Sequence, residues 1–247
     1  WKGLINDPEL NYSFKINQGI CIARKLLIEL TKLEIPIGCE FLDTVIPQYI
    51  SDLVSWVAIG ARTVESQIHR ELASGLSMPV GFKNGTSGNI DVAIDAIIAS
   101  NNIHCFFGIT HEGNTAIITT KGNKNSHIIL RGSSNGPNYD EDNIKDVIGK
   151  ISKKQINQSI IIDCSHGNSG KDYTRQIIVA TDIARQINNK NMNIKGIMLE
   201  SNLVEGNQKC LHTSESIKNL IYGMSITDSC INLNTTSEIL SILSKSQ

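Results

Sequence analysis

Six short apolar runs, residues 35–41, 57–61, 79–83, 127–131, 159–164 and 195–200, recur along this chain with helical patterning between most of them. Parallel strands need a crossover of a dozen or more residues, usually a helix, and are covered on both faces, so each reads as an unbroken apolar run. The alternation therefore calls for a parallel α/β sheet or barrel. A (β/α)8 TIM barrel has eight strands. We expect residues 1–247 to form a single domain, the C-terminal six βα units of such a barrel, with the first two strands upstream of Trp1. An open doubly wound sheet is the alternative, but no Gly-x-Gly-x-x-Gly follows any strand.

Between the runs, Ile20, Ala23, Leu27 and Leu30 predict a helix over 18–33, with Asn17 as its cap. Pro47 opens a helix expected to reach Trp56. Further helices are read over 65–74, 87–100, 144–151 and 172–187. A last one follows the capping box Thr235-x-x-Glu238. Residues 104–120 break the alternation: two β runs joined by Glu112-Gly113-Asn114 read as an inserted hairpin. Residues 202–223 read as a long polar loop.

A net charge of −1 gives no whole-molecule attraction for nucleic acid or membranes, so anion binding must come from local Lys and Arg. No apolar run approaches the ~20 residues of a membrane span, and no signal peptide is visible. The expected location is cytoplasmic. The six cysteines show no Cys-x-x-Cys spacing. They read as free thiols, with Cys39, Cys105 and Cys164 buried in apolar runs. Because the chain begins at Trp1 rather than Met, part of the site is expected upstream.

The charged residues at or just past the strand ends are Glu40, Arg62, Lys83, Arg131, His166 and Glu200. Barrel active sites are built at that C-terminal face. Singly, a strand-end charge is most often solvated or paired. Arg62, Lys83 and Arg131 form an anion half, suited to phosphate or carboxylate; salt bridges to Glu40 or Glu65 are the bland alternative. His166, Glu200 and Asp228 form a metal half, since imidazole with carboxylates suits a divalent transition ion; a structural His166 and a loop-capping Asp228 are its alternatives. His69 and His212 read as surface residues and His127 as structural.

Residues 60–86, GARTVESQIHRELASGLSMPVGFKNGT, resemble the core of the type I 3-deoxy-D-arabino-heptulosonate-7-phosphate (DAHP) synthases. The resemblance covers essentially the whole chain. It includes Trp1-Lys-Gly-Leu-Ile-Asn-Asp-Pro8, Gly38-x-Glu-Phe-Leu-Asp43, His127-Ile-Ile-Leu-Arg-Gly132, Ile162-Asp-x-Ser-His-x-Asn-Ser169, Glu200-Ser-x-Leu-Val-Glu-Gly-Asn-Gln208 and Ser225-Ile-Thr-Asp-x-Cys230. It implies a transferase that condenses phosphoenolpyruvate with erythrose 4-phosphate at the head of aromatic amino acid biosynthesis. By the same resemblance Lys2, Arg62, Lys83 and Arg131 bind phosphoenolpyruvate, and Glu40 lies near the reacting carbons. His166, Glu200 and Asp228 match three of four ligands to one divalent ion (Mn²⁺, Fe²⁺, Co²⁺ or Zn²⁺). The family's fourth ligand, a cysteine, and its Lys-Pro-Arg-Thr segment have no counterpart here. Gly167 replaces the usual Ala, and Gly132-Ser133 replaces Gly-Gly; both departures are expected to loosen or reshape a loop.

The resemblance further implies a homo-oligomer, dimer or tetramer, and an aromatic amino acid feedback site. That site would be formed by the hairpin with Pro47, Leu76, Ser77, Phe106 and Gly108; Gly108 favours tyrosine over phenylalanine. Hairpin residues serving only as an oligomer contact are the plainer alternative. Two other functions stay open: a Schiff-base aldolase with Lys83 as nucleophile, and an inactive or regulatory subunit.

Overall fold

The computed structural model describes residues 3–110 and 112–246. The chain divides into two compact units, one of Trp1–Phe82, Val92–His127 and His212–Ser214, the other of Lys83–Asp91, Ile128–Leu211 and Glu215–Gln247.

In the first unit, helix α1 (Ile16–Lys32) buries Gly19, Ala23 and Leu27, four residues apart on one face. Its N-terminus carries no side-chain cap, and the expected cap Asn17 lies inside the first turn. Strand β1 (Gly38–Glu40) is shorter than the apolar run because Pro36 has no N–H to give a ladder. Helix α2 (Pro47–Ile50) starts at its proline as expected but ends after one turn. A 3₁₀ turn, Ser51–Leu53, follows, so Trp56 opens strand β2 (Trp56–Ile59) instead of closing a helix. Helix α3 (Gln67–Gly75) leads into strand β3 (Val80–Lys83), and β1, β2 and β3 pair in parallel. Val57, Ile59, Val80 and Phe82 are fully buried, as an apolar run covered on both faces requires.

Helix α4 (Asp91–Ser100) precedes the hairpin β4 (Cys105–Ile109) and β5 (Thr115–Thr119), which pair antiparallel with Phe106 opposite Ile118. The Thr110 N–H bonds the Asn114 carbonyl at 2.8 Å across the turn, and Gly113 supplies a φ of +83°. Burial alternates along both strands. This corrects the reading of Cys105, which falls on the outward face and is exposed. Cys39 is half-buried, Cys164 is buried, and all six thiols are free.

The histidines also depart from expectation. His69 is buried, with Nδ1 at 2.8 Å from the Ser66 hydroxyl and Nε2 at 3.3 Å from the Leu42 carbonyl. His212 is half-buried, 2.9 Å from the Leu10 carbonyl and stacked on Tyr12. His127 is structural, as expected. Its Nδ1 donates to the Asn125 carbonyl and its Nε2 accepts from Trp56 Nε1, both at 3.0 Å.

In the second unit, strands β6 (His127–Leu130), β7 (Ile160–Asp163) and β8 (Ile194–Met198) pair in parallel. Helix α5 (Glu141–Lys153) is capped by Asp140, which accepts from the Asn143 N–H at 3.1 Å, and fully buries Ile144, Val147 and Ile151. A short helix α6 (His166–Ser169) and then α7 (Gln176–Asn188) follow β7.

The stretch read as a polar loop is partly ordered. It holds β9 (Val204–Asn207) and α8 (Ser214–Lys218), and β10 (Met224–Ser225) pairs with β9. Helix α9 (Leu233–Ser244) is capped by Asn232, not Thr235: the Asn232 side chain accepts from the Thr235 N–H at 2.9 Å. The expected capping box lies one turn inside the helix. Among the described residues no helix is long and apolar enough to cross a membrane.

Candidate metal and anion site

Three strand ends of the second unit carry its charged centre. Lys83 closes β3, Arg131 follows β6, and Asp163 closes β7. Their strands are pinned by a buried asparagine network. Asn84 Oδ1 accepts from the Arg131 N–H at 2.9 Å and from Asn138 Nδ2 at 3.2 Å, while its Nδ2 donates to the Gly132 carbonyl. Asn138 Oδ1 accepts from the Gly132 N–H at 2.7 Å. Asn168 Oδ1 accepts from the Asn138 N–H, and its Nδ2 donates to the Leu130 and Asp163 carbonyls. Each asparagine satisfies backbone groups left over where a strand ends, so the strand-end charges are held on a fixed frame.

Asp163 is 2% exposed. Its Oδ2 lies 2.9 Å from Lys83 Nζ and 2.9 Å from His166 Nδ1. Burial pushes this carboxyl up, but the His166 hydrogen bond and the Lys83 charge together outweigh it and bring it down to about 2. Lys83 is thus paired, with a partner other than the two glutamates weighed from the sequence. Arg131 is 9% exposed and makes no ion pair among the described residues. A buried guanidinium without a carboxylate offers N–H donors to an anion.

His166 follows β7 with φ of +48°, a conformation a non-glycine residue seldom adopts. Its Nε2 faces Asp228 Oδ2 at 3.6 Å and Glu200 Oε1 at 4.0 Å. One ligand atom from each of the three lies within 4.8 Å of the others. Burial raises the Glu200 carboxyl, the Asp228 and Asp163 charges push the same way, and His166 opposes them. One imidazole nitrogen and two carboxylates fit a divalent transition ion. Cys164 lies next to Asp163; its thiol is pushed up by burial and by that charge, and it is not among the three residues whose ligand atoms converge.

In the first unit, Glu40 closes β1 and its carboxylate occupies the space a side chain at Gly60 would fill. Arg62 is exposed past β2 and has no ion pair among the described residues. Lys2 lies outside the described residues. Pro47, Leu76, Phe106 and Gly108 line one cavity of about 940 Å³ between the hairpin, α2 and α3; Ser77 does not line it.

The sequence model of the DAHP synthetase I family matches residues 1–241. The chain belongs to that family. It is 51% identical over 240 residues to the Phe-sensitive phospho-2-dehydro-3-deoxyheptonate aldolase of Escherichia coli K12, covering 97% of this chain and 67% of the relative. To the Tyr-sensitive enzyme of the same organism it is 48% identical, covering 97% and 66%. A solved phospho-2-dehydro-3-deoxyheptonate aldolase from Francisella tularensis SCHU S4 superposes with a TM-score of 0.94 at 50% identity over 100% of this chain and 70% of that one. The chain thus spans about two thirds of the length of these curated relatives. Its fold class is the expected one, a parallel α/β fold of partial TIM-barrel type.

The two departures from the family pattern meet in space. A Cβ at Gly167 would overlap the Ser133 backbone nitrogen, and one at Gly132 would overlap the Gly167 carbonyl carbon. The turn is packed backbone to backbone. Asp163 and the asparagines Asn84, Asn138 and Asn168 were not singled out by the sequence reading. Their signal was there: each sits within a few residues of a strand-end charge.

Proposed function

We propose that this chain provides most of the active site of a DAHP synthase, which joins phosphoenolpyruvate, D-erythrose 4-phosphate and water to give DAHP and phosphate. The observation that carries this reading is the His166, Glu200 and Asp228 group lying in the same compact unit as the strand-end cations Lys83 and Arg131. C3 of phosphoenolpyruvate forms the new bond to the aldehyde carbon; water adds at C2 and phosphate leaves from it. Lys83 and Arg131, with Arg62 and Lys2, would hold the carboxylate and phosphate of phosphoenolpyruvate. Lys83 and Arg131, in one unit, would offset the repulsion between two anionic substrates and turn a collision into a positioned encounter. Glu40 would sit by the reacting carbons. His166, Glu200 and Asp228 would hold Mn²⁺, Fe²⁺, Co²⁺ or Zn²⁺. When bound, such an ion supplies Lewis acidity to the aldehyde oxygen.

Lys83 has its ammonium committed to a buried carboxylate at 2.9 Å. That is a poor arrangement for a nucleophilic amine, and it disfavours the Schiff-base aldolase. The cavity under the hairpin is proposed to take an aromatic amino acid as feedback ligand, tyrosine before phenylalanine, within a homo-oligomer.

The test is phosphate release from phosphoenolpyruvate plus erythrose 4-phosphate by the complete coding region, with Mn²⁺ and with EDTA. Turnover that EDTA abolishes is the expected result. Metal binding without turnover replaces the synthase with a regulatory subunit, and borohydride trapping of substrate on Lys83 replaces it with an imine-forming aldolase.

A further inference from the structure

We infer that Asp163 is the positioning residue of this site: through one carboxylate oxygen it orients the His166 ring toward Glu200 and Asp228 and anchors the Lys83 ammonium. The inference rests on the metal reading above for the identity of what His166 faces. Three observations carry it. First, Oδ2 is 2.9 Å from both His166 Nδ1 and Lys83 Nζ, so one atom serves the metal half and the anion half. Secondly, Asp163 does not turn between partners. Its Oδ1 accepts the Ser165 N–H at 3.0 Å, and its own carbonyl accepts from Asn168. Thirdly, His166 cannot choose its ring direction freely. Its backbone sits at a φ of +48°, held by a bond from the Lys171 N–H to its carbonyl at 2.7 Å.

A carboxylate only accepts, so His166 must donate from Nδ1, and in the neutral ring that leaves Nε2 bare. Nε2 is the atom that faces Asp228 and Glu200. Carboxylates behind metal-binding imidazoles fix the tautomer and raise ligand basicity, and their loss costs 10- to 100-fold in metal affinity. Here the same oxygen also fixes where the Lys83 charge stands.

The experiment uses the full chain and Mn²⁺ alone, followed by calorimetry or by the loss of the free-ion electron spin resonance signal. Asp163→Asn is nearly isosteric. We expect its Mn²⁺ affinity to fall roughly 10- to 100-fold, with the far-ultraviolet dichroism unchanged. Equal affinity in the two proteins overturns the inference while leaving the metal reading intact; no Mn²⁺ binding by the unaltered chain overturns both. Should the variant fail to fold, the unaltered chain answers by ¹⁵N resonance of its labelled histidines. At a pH where the ring is neutral, His166 must carry its proton on Nδ1 and leave Nε2 bare. A ring protonated at Nε2 overturns the inference.

Discussion

His127 is held neutral by its surroundings. It donates from one ring nitrogen to Asn125 and accepts on the other from Trp56, and burial lowers its affinity for a proton. An unfolded histidine takes up a proton near pH 6.5, while the folded one does so only at lower pH. The unfolded state therefore binds more protons in that window. The contribution of His127 is complete above about pH 6.5 and is lost as pH falls through the window below it. The urea midpoint of the unaltered protein should thus drop more steeply between about pH 7 and pH 5 than that of His127→Gln. Parallel profiles for the two would count against this account. A second residue-scale prediction concerns Gly167, whose missing side chain is replaced by the Ser133 backbone. Gly167→Ala should destabilise by about 1–3 kcal/mol through overpacking, read as a lower denaturant midpoint at constant slope. At this scale the sequence was informative where chemistry is rare. Charged ends of apolar strands and His166 stood out, whereas Asp163 and the three asparagines looked like ordinary loop polarity. Their role depends on which carbonyls and N–H groups the fold leaves unpaired beside them. His69 was misread because its helix looks polar, yet its ring closes a gap between Ser66 and Leu42.

Elements were legible in proportion to their burial. Strands covered on both faces must be continuously apolar, so β2, β3, β6 and β7 fell close to their expected runs. The hairpin was legible from its turn, and its exposure alternates along both strands. The pair β9 and β10 was not, because its ladder is short and its residues half-exposed and polar. The expected caps of α1 and α9 failed for a different reason. Any Ser, Thr, Asn or Asp near a boundary can cap, and only the backbone geometry selects which one does. For α9 that choice is testable. Asn232→Ala removes the acceptor for the Thr235 N–H and should cost about 1 kcal/mol. The Thr235→Ala change leaves that bond in place and should stay within about 0.5 kcal/mol. Thermal unfolding of both variants decides it, and the reverse ranking would restore the capping box.

At the scale of the whole chain, the two proposed ligands fall in different compact units. The metal group belongs to the unit of β6, β7 and β8, and the cavity beneath the hairpin belongs to the unit of β1, β2 and β3. A ligand that binds only the folded state adds RT ln(1 + [L]/Kd), about 2.7 kcal/mol at a hundredfold excess over Kd. Local opening draws on that term only where the opening destroys the bound site. Hydrogen exchange should therefore sort the ligands by segment. Mn²⁺ should slow exchange in β7, in α6 and around Glu200 and Asp228. L-Tyrosine should slow it in β4, β5, α2 and α3, and more than L-phenylalanine at equal concentration. Gly108 sharpens the second half. A Cβ there would come 2.6 Å from Ile118 Cγ1, so Gly108→Ser must push Ile118 or narrow the cavity. Its expected effect is a several-fold loss of protection by tyrosine in the hairpin, with the Mn²⁺ pattern untouched. Tyrosine protection confined to the segments around His166 would place aromatic recognition at the charged centre and remove the feedback role from the cavity.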